Sequence, residues 1–102
     1  MNPEEAKMEK ALVMNEADNA ATAITALEKD ETVSVLVGSR RVEVLLTEDI
    51  PFGHKFALKP IGEGKHVIKY GASIGLATVD IAPGMHIHTQ NLEGARGRGD
   101  RT

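Results

Sequence analysis

The segment YGASIGLATVDIAPGMHIHTQNLEGARGRGD, residues 70–100, carries most of the features that bear on fold and chemistry. Within it, Ala82-Pro83-Gly84 has the residue order of a type II turn, with proline at the second position and glycine at the third. Short apolar runs lie on both sides of this turn, and they predict strands at residues 74–79 and 85–89. Short strands joined by tight turns indicate a mainly β structure.

The rest of the chain continues this pattern. Residues 32–46 predict a β-hairpin with its turn at residues 38–41, and shorter strands are expected at residues 11–14, 54–58 and 66–70. A turn at residues 50–53 precedes the second of these short strands.

One segment predicts a helix. Ala20, Ala21, Ile24 and Leu27 recur at the spacing of one helix face, so we predict an amphipathic helix over residues 16–29, with Asn15 or Asp18 as its N-cap. The fold class predicted from the sequence is therefore mainly β (α+β), a small barrel of short strands with one N-terminal helix.

The composition narrows the class of protein. A chain of 102 residues makes one domain, and with only two Phe and one Tyr its core must be largely aliphatic. The absence of cysteine excludes disulfides and thiolate metal sites. A net charge of −3 argues against general nucleic-acid binding. The start of the sequence has no secretory signal and no apolar run reaches the length of a membrane span, so a cytoplasmic location is expected.

The charge is distributed unevenly along the chain. Residues 1–50 contain 11 acidic and 5 basic residues, whereas residues 51–102 contain 4 acidic and 7 basic residues. The basic second half suits the binding of a small anion, or it is an ordinary solvated surface.

His86 and His88 form the strongest candidate for chemistry. In a strand they share one face with Gln90, about 6.5–7 Å apart along the strand, and two imidazoles so placed can bind one divalent ion. The alternative is a polar strand face in contact with solvent, and the H-x-H pattern alone does not decide between them.

Two further groups are weaker candidates. His54-Lys55 follows a Pro-Phe-Gly turn and suits carboxylate binding or proton transfer, although it can equally be a surface pair. Arg96 and Arg98, separated by glycine, suit bidentate contacts with a carboxylate or phosphate, or they belong to a disordered tail.

Several motifs, in order along the chain, resemble one family. They are KALV at residues 10–13, ADNAATA at 17–23, IPFGHKFA at 50–57, IKYG at 68–71, DIAPG at 80–84 and HIHTQN at 86–91. Together they resemble the N-terminal SAF-type domain of the altronate and galactarate dehydratases. The resemblance implies a β-clip fold over residues 10–92, preceded by a leader at residues 1–9 and followed by a flexible Arg/Gly tail at residues 93–102.

The resemblance also implies a function. It suggests the small subunit of a hydro-lyase that dehydrates a sugar acid such as altronate or galactarate and shares its active site with a separate large catalytic subunit. Sulfolactate sulfo-lyase has a small subunit of the same kind, and a homo-oligomer is also open. The alternative is a non-catalytic SAF-type module for carbohydrate binding or assembly.

The roles of individual residues follow from the resemblance as expectations. The resemblance implies that His54 takes part in proton transfer and that His86 and His88 bind a divalent metal such as Fe²⁺ or Mn²⁺. It also implies that Lys55, Arg96 and Arg98 bind the substrate carboxylate. The family often has histidine where this chain has Gln90, and glutamine is the poorer metal ligand.

Overall fold

The computed structural model describes residues 9–94, which form nine short β-strands. In chain order the strands are β1 (Ala11–Leu12), β2 (Ala20–Ala23), β3 (Thr32–Val37), β4 (Arg40–Leu45), β5 (Lys55–Ala57), β6 (His66–Lys69), β7 (Ala72–Ala77), β8 (His86–Ile87) and β9 (Leu92–Glu93). The mainly β prediction is confirmed. No helix within residues 9–94 could span a membrane.

The strands pair into three antiparallel sheets that do not close on one another. A four-stranded sheet has the order β1-β2-β5-β8, a two-stranded sheet consists of β3 and β4, and a three-stranded sheet has the order β6-β7-β9. The predicted barrel is therefore wrong, because β1 and β8 remain at opposite edges of the four-stranded sheet. The β-clip assignment stays a prediction from the resemblance.

The four-stranded sheet, called the central sheet below, separates two hydrophobic cores. Ala21 and Phe56 are cross-strand partners and belong to a core shared with the β3-β4 hairpin. Ala20 and Ala57 are also partners but face the second core, which includes Val67 of β6. Because neighbouring residues of a strand point to opposite faces, the sheet is covered on both sides.

The predicted helix over residues 16–29 is wrong. Within residues 9–94 there is no helix, and Ala20–Ala23 forms an inner strand of the central sheet. A strand that is buried on both faces has a nearly continuous run of apolar residues. Such a run also contains apolar residues at helical spacing, so periodicity alone does not distinguish it from a helix. Alanine favours helices locally, but burial between two cores outweighs that preference.

The predicted N-caps have other roles. Asn15 accepts a hydrogen bond from the backbone N–H of Ala17 at 2.8 Å, which closes a local turn. Asp18 is buried, and its Oδ1 accepts a hydrogen bond from the backbone N–H of Gly71 at 2.8 Å. The Asp18 side chain thereby ties the start of β2 to the β6-β7 turn.

The predicted hairpin and turns are confirmed. β3 and β4 pair from Thr32↔Leu45 to Val37↔Arg40, with a turn shorter than the predicted one between them. Gly84 has φ 85° at the third position of the Ala82–Met85 turn, as a type II turn requires, and the Met85 N–H donates to the Ala82 carbonyl. A Cβ on Gly84 would overlap the carbonyl oxygen of Leu45, so this turn packs directly against the end of β4.

The strand predicted at residues 85–89 is shorter than expected. β8 contains only His86–Ile87, and a turn follows before β9, which the sequence did not predict. Most of the predicted leader and tail lies outside the described residues.

Candidate metal centre

Three histidines from two distant parts of the chain meet at the edge of the central sheet. His54 immediately precedes β5, His86 lies on β8 and His88 follows it. β5 and β8 are adjacent, and Phe56 pairs with His86. The sequence did not determine whether the three histidines converge, and the structure brings them together.

The three imidazole rings lie close together with their planes nearly parallel. The ring centroid of His54 lies 5.0 Å from that of His86 and 4.3 Å from that of His88, and the His86 and His88 centroids are 5.6 Å apart. The angles between ring planes are only 9–20°. One ring nitrogen from each histidine lies within 4.8 Å of the other two, and all three residues are half-buried.

Asn91 holds the two histidines of the H-x-H segment. Its side-chain Nδ2 donates to the carbonyl of His86 at 2.8 Å, and its Oδ1 accepts from the backbone N–H of His88 at 3.0 Å. Its own N–H donates to the carbonyl of His88 at 3.1 Å. Asn91 is only 3% exposed, so these bonds are shielded from water. His88 is thereby held next to His86 although it lies beyond the end of the strand.

Glu48 supports the same segment from the chain that follows β4. Its Oε2 accepts a hydrogen bond from the backbone N–H of His86 at 3.1 Å. Sequence reasoning missed the roles of both Glu48 and Asn91, because each acts on the backbone of a histidine and not on its ring, and Glu48 is also 38 residues from His86 along the chain. The spacing of His88 and Asn91 was the only available signal, since an asparagine side chain often closes a turn with a nearby backbone N–H.

The environment keeps His86 neutral. Burial lowers the pKa of His86 below its ordinary value, and the nearby charge of His54 lowers it further, while Glu48 opposes the shift and His88 and Lys55 add smaller decreases. Neutral imidazole is the form that binds a metal.

These three residues fit a divalent metal. Three imidazole nitrogens suit Fe²⁺ and Zn²⁺ better than Mg²⁺ or Ca²⁺, which prefer oxygen ligands. His54 Nδ1 and His86 Nε2 are 2.8 Å apart and share a hydrogen bond. Two nitrogens on a tetrahedral ion are about 3.4 Å apart at metal–nitrogen distances of about 2.1 Å. A movement of about half an ångström would therefore exchange this hydrogen bond for a shared ion.

The other polar residues near the histidines contribute less. Gln90 is exposed, and its Nε2 lies 3.4 Å from both Nδ1 and the carbonyl oxygen of His86, which is a weak contact. The fourth histidine, His66, lies outside the group on β6 and shares a 2.7 Å hydrogen bond with the hydroxyl of Ser73.

Lys55 is directed away from the histidine group. It pairs with Thr22 on one side and Ile87 on the other, so strand alternation places its side chain on the sheet face opposite to that of Phe56 and His86. Burial lowers the pKa of Lys55, and the charge of Lys69 lowers it further. Arg96 and Arg98 lie outside the described residues.

The sequence matches the family profile "Altronate/galactarate dehydratase SAF domain" over residues 9–95. The chain belongs to this family. The match includes all three histidines of the candidate metal centre and nearly all of the described fold.

Individual relatives fall into two kinds. The chain is 46% identical over 74 residues to the altronate dehydratase of Escherichia coli and 34% identical over 86 residues to that of Bacillus subtilis. The alignments cover 72% and 84% of this chain but only 14% and 16% of those enzymes. It is also 32% identical over 89 residues to the (2R)-sulfolactate sulfo-lyase subunit alpha of Chromohalobacter salexigens, covering 82% of this chain and 94% of that subunit.

Proposed function

We propose that this chain is the small subunit of a hydro-lyase that dehydrates a sugar acid such as altronate or galactarate, and that it shares an active site with a larger chain. The observation that carries the proposal is the convergence of His54, His86 and His88, whose ring nitrogens lie within 4.8 Å of one another. A metal centre of this kind on a family SAF domain suits elimination chemistry at a hydroxy acid.

The proposed reaction removes the proton on the carbon next to the carboxylate and expels the neighbouring hydroxyl group as water. A divalent ion, Fe²⁺ or Mn²⁺, supplies a Lewis acid for the substrate oxygens. Of the three histidines, His86 and His88 would hold this ion, and His54, in its hydrogen-bonded position beside His86, would exchange the proton instead of serving as a third ligand. Asn91 and Glu48 orient the two ligands through their backbones.

A larger chain supplies the rest of the site. This chain aligns with 14% and 16% of the two altronate dehydratases, so most of each relative lies outside the aligned region. The 94% coverage of a protein named as subunit alpha supports a separate small subunit. Lys55, Arg96 and Arg98 stay predicted contacts for the substrate carboxylate. The position of Lys55 on the opposite sheet face makes it the weakest of these assignments.

The first test is a metal titration of the full chain followed by NMR. Paramagnetic Mn²⁺ at substoichiometric concentration is expected to broaden the imidazole resonances of His54, His86 and His88, and to leave those of His66 sharp. His88→Gln should abolish the selective broadening, whereas His66→Gln is the matched control and should retain it. Equal broadening of all four histidines, or none up to millimolar Mn²⁺, would contradict a metal site on this chain.

The second test is activity of the complex with its larger chain. His86→Ala is expected to lower altronate or galactarate dehydration roughly 100-fold or more while the complex still assembles, since loss of a ligand should cost at least as much as loss of a residue that orients one. Activity that survives in both His86→Ala and His88→Ala complexes would instead support the non-catalytic binding or assembly module.

A second candidate is the corresponding lyase reaction on (2R)-sulfolactate. It is favoured by the alignment with nearly the whole length of one sulfo-lyase subunit alpha at 32% identity, whereas the altronate dehydratase of Escherichia coli is 46% identical over 74 residues. Assays of altronate, galactarate and (2R)-sulfolactate in parallel, with the same complex, decide between the two.

A further inference from the structure

A small cavity opens on the face of the central sheet that is opposite to the histidine group. Leu12, Thr22 and Lys55 are successive cross-strand partners on this face, and the first two line the cavity. Lys69 and Tyr70, at the end of β6, close its other side. The cavity has a volume of about 170 Å³ and is distinct from the candidate metal centre.

Two buried polar atoms of cavity-lining residues lack hydrogen-bond partners within the part of the chain that the structure describes. Asp18 is 2% exposed, and its Oδ2 has no hydrogen-bond partner among the residues that the structure describes, although its Oδ1 is bonded to Gly71. The hydroxyl of Thr22 is also buried without a partner in residues 9–94. A buried carboxylate oxygen without a donor costs free energy, so a donor supplied by a binding partner would be stabilised there.

The rim of the cavity is apolar and exposed. Its four large side chains are Leu12, Met14, Ile24 and Tyr70, which are 44%, 64%, 40% and 60% exposed. Tyr70 has φ 57°, an uncommon conformation for a bulky residue. Methionine and tyrosine are enriched in protein–protein interfaces relative to the rest of the protein surface.

The size of the cavity favours a single side chain over a free metabolite. Its volume of about 170 Å³ exceeds the roughly 30 Å³ of one water molecule but falls below the roughly 300–1,000 Å³ usual for small-molecule pockets. The two altronate dehydratases that resemble this chain have most of their length outside the aligned region, so that remainder is the natural source of the side chain.

The charged groups near the cavity, which are Lys55, Lys69 and Asp18, restrict which side chain of a partner (the guest) can bind in it. The Lys69 ammonium lies 4.7 Å from the centroid of the Tyr70 ring, and Lys55 lies beside Thr22 on the sheet. Neither makes an ion pair with Asp18 among the described residues. An acidic guest would place a second carboxylate against Asp18, whereas an N–H donor satisfies both Asp18 Oδ2 and the Thr22 hydroxyl.

We propose that this cavity is the site by which the chain docks onto its larger partner chain, which inserts a side chain whose N–H groups donate to Asp18 Oδ2 and the Thr22 hydroxyl. The docking assignment rests on the proposed function, because it takes the larger chain of the same enzyme as its occupant. It places the contact between chains on one face of the central sheet and the metal centre on the other.

The test measures binding to the larger chain alongside the stability of the free chain. The tagged full chain is used to capture the larger chain. A captured protein is accepted as the larger chain only if its sequence matches the part of the altronate dehydratases that this chain does not cover. Thr22→Val and Asp18→Asn are then compared with the wild type. Both should weaken binding about 10-fold or more, as expected for the buried centre of an interface.

The free-chain measurement separates docking from a structural role. The amide oxygen introduced by Asp18→Asn can still accept the hydrogen bond from Gly71, and Thr22→Val removes an unpaired hydroxyl, so neither variant should lower the melting temperature of the free chain.

Met14→Lys should also weaken binding about 10-fold, whereas Val79→Lys is the matched control. Val79 is an exposed apolar residue, 48% exposed, that does not line the cavity, and its substitution should leave binding within twofold.

The charge of the guest is tested by Lys69→Met. Binding that is unchanged or tighter agrees with an N–H donor, whereas a loss of 10-fold or more would show an acidic guest and overturn the assignment. Wild-type binding in both Thr22→Val and Asp18→Asn would overturn the docking site alone. Failure of the wild-type chain to capture any qualifying larger chain would overturn the proposed function and the docking site together.

Discussion

Nδ1 of His54 lies 2.8 Å from Nε2 of His86, so one of these nitrogens carries the proton and the other accepts it. The bond requires that at least one ring be neutral at the shared position. A metal ion at either of these two nitrogens breaks it, and so does protonation of both rings, whereas a single imidazolium can still donate to its neutral neighbour. The arrangement therefore couples the protonation of the group to metal binding and to the stability of the sheet edge.

Acidification should destabilise the metal-free chain. Burial and the charge of His54 lower the pKa of folded His86 below its ordinary value of 6.5, so below that pH the unfolded chain binds more protons than the folded chain. Stability should be complete above about pH 6.5 and decrease as the pH falls toward the lowered pKa. Urea denaturation between pH 5 and 8 measures this, and His86→Gln should flatten the dependence. An unchanged slope in His86→Gln would contradict the assignment.

Asn91→Ala should loosen the histidine group. The substitution removes both side-chain hydrogen bonds to the backbones of His86 and His88, and it should lower the free energy of unfolding by about 1–3 kcal/mol. Metal affinity should fall roughly 10-fold, because His88 is no longer held beside His86. Calorimetric titration with Fe²⁺ under anaerobic conditions gives the affinity. The exposed Gln90→Ala is the control, with stability expected within about 0.5 kcal/mol of wild type.

Gly84→Ala should be far more destabilising than Gly64→Ala. Both glycines have positive φ, 85° and 81°, so alanine costs about 1–2 kcal/mol at either position. A Cβ at Gly84 also overlaps the Leu45 carbonyl, whereas one at Gly64 meets nothing within 4 Å. Urea denaturation of the two variants isolates the steric cost. Equal losses of stability would contradict the close packing of this turn against β4.

Lys55→Met should stabilise the free chain at neutral pH. Burial and the charge of Lys69 lower the pKa of Lys55, which shows that the folded chain disfavours its charged form. The difference in stability between Lys55→Met and the wild type should shrink as the pH rises toward 10.5. In this range the folded wild type loses the Lys55 proton before the unfolded chain does, so its stability increases, whereas the variant has no such group. Thermal unfolding at pH 7 and pH 10 measures both. Lys59→Met, at an exposed position, is the control and should change stability little.

The sequence by itself determined the local features: the β3-β4 hairpin, the Ala82–Met85 turn, a turn predicted at residues 50–53 and observed one residue later at 51–54, and the candidate histidines. Turns and hairpins depend on residues adjacent in the chain, so proline, glycine and alternating apolar residues are sufficient to predict them.

Only the tertiary structure decided the state of Ala20–Ala23 and the convergence of the site. The alanine segment is a strand because a hydrophobic core covers each of its faces. These cores contain distant residues such as Phe56 and Val67, so the spacing within the segment cannot predict them. His54 joins His86 and His88 because β5 pairs with β8, which lies about 30 residues further along the chain. Asn91 and Glu48 act through hydrogen bonds to the backbones of His86 and His88, and the burial of Asp18 Oδ2 without a partner in residues 9–94 is a property of the fold.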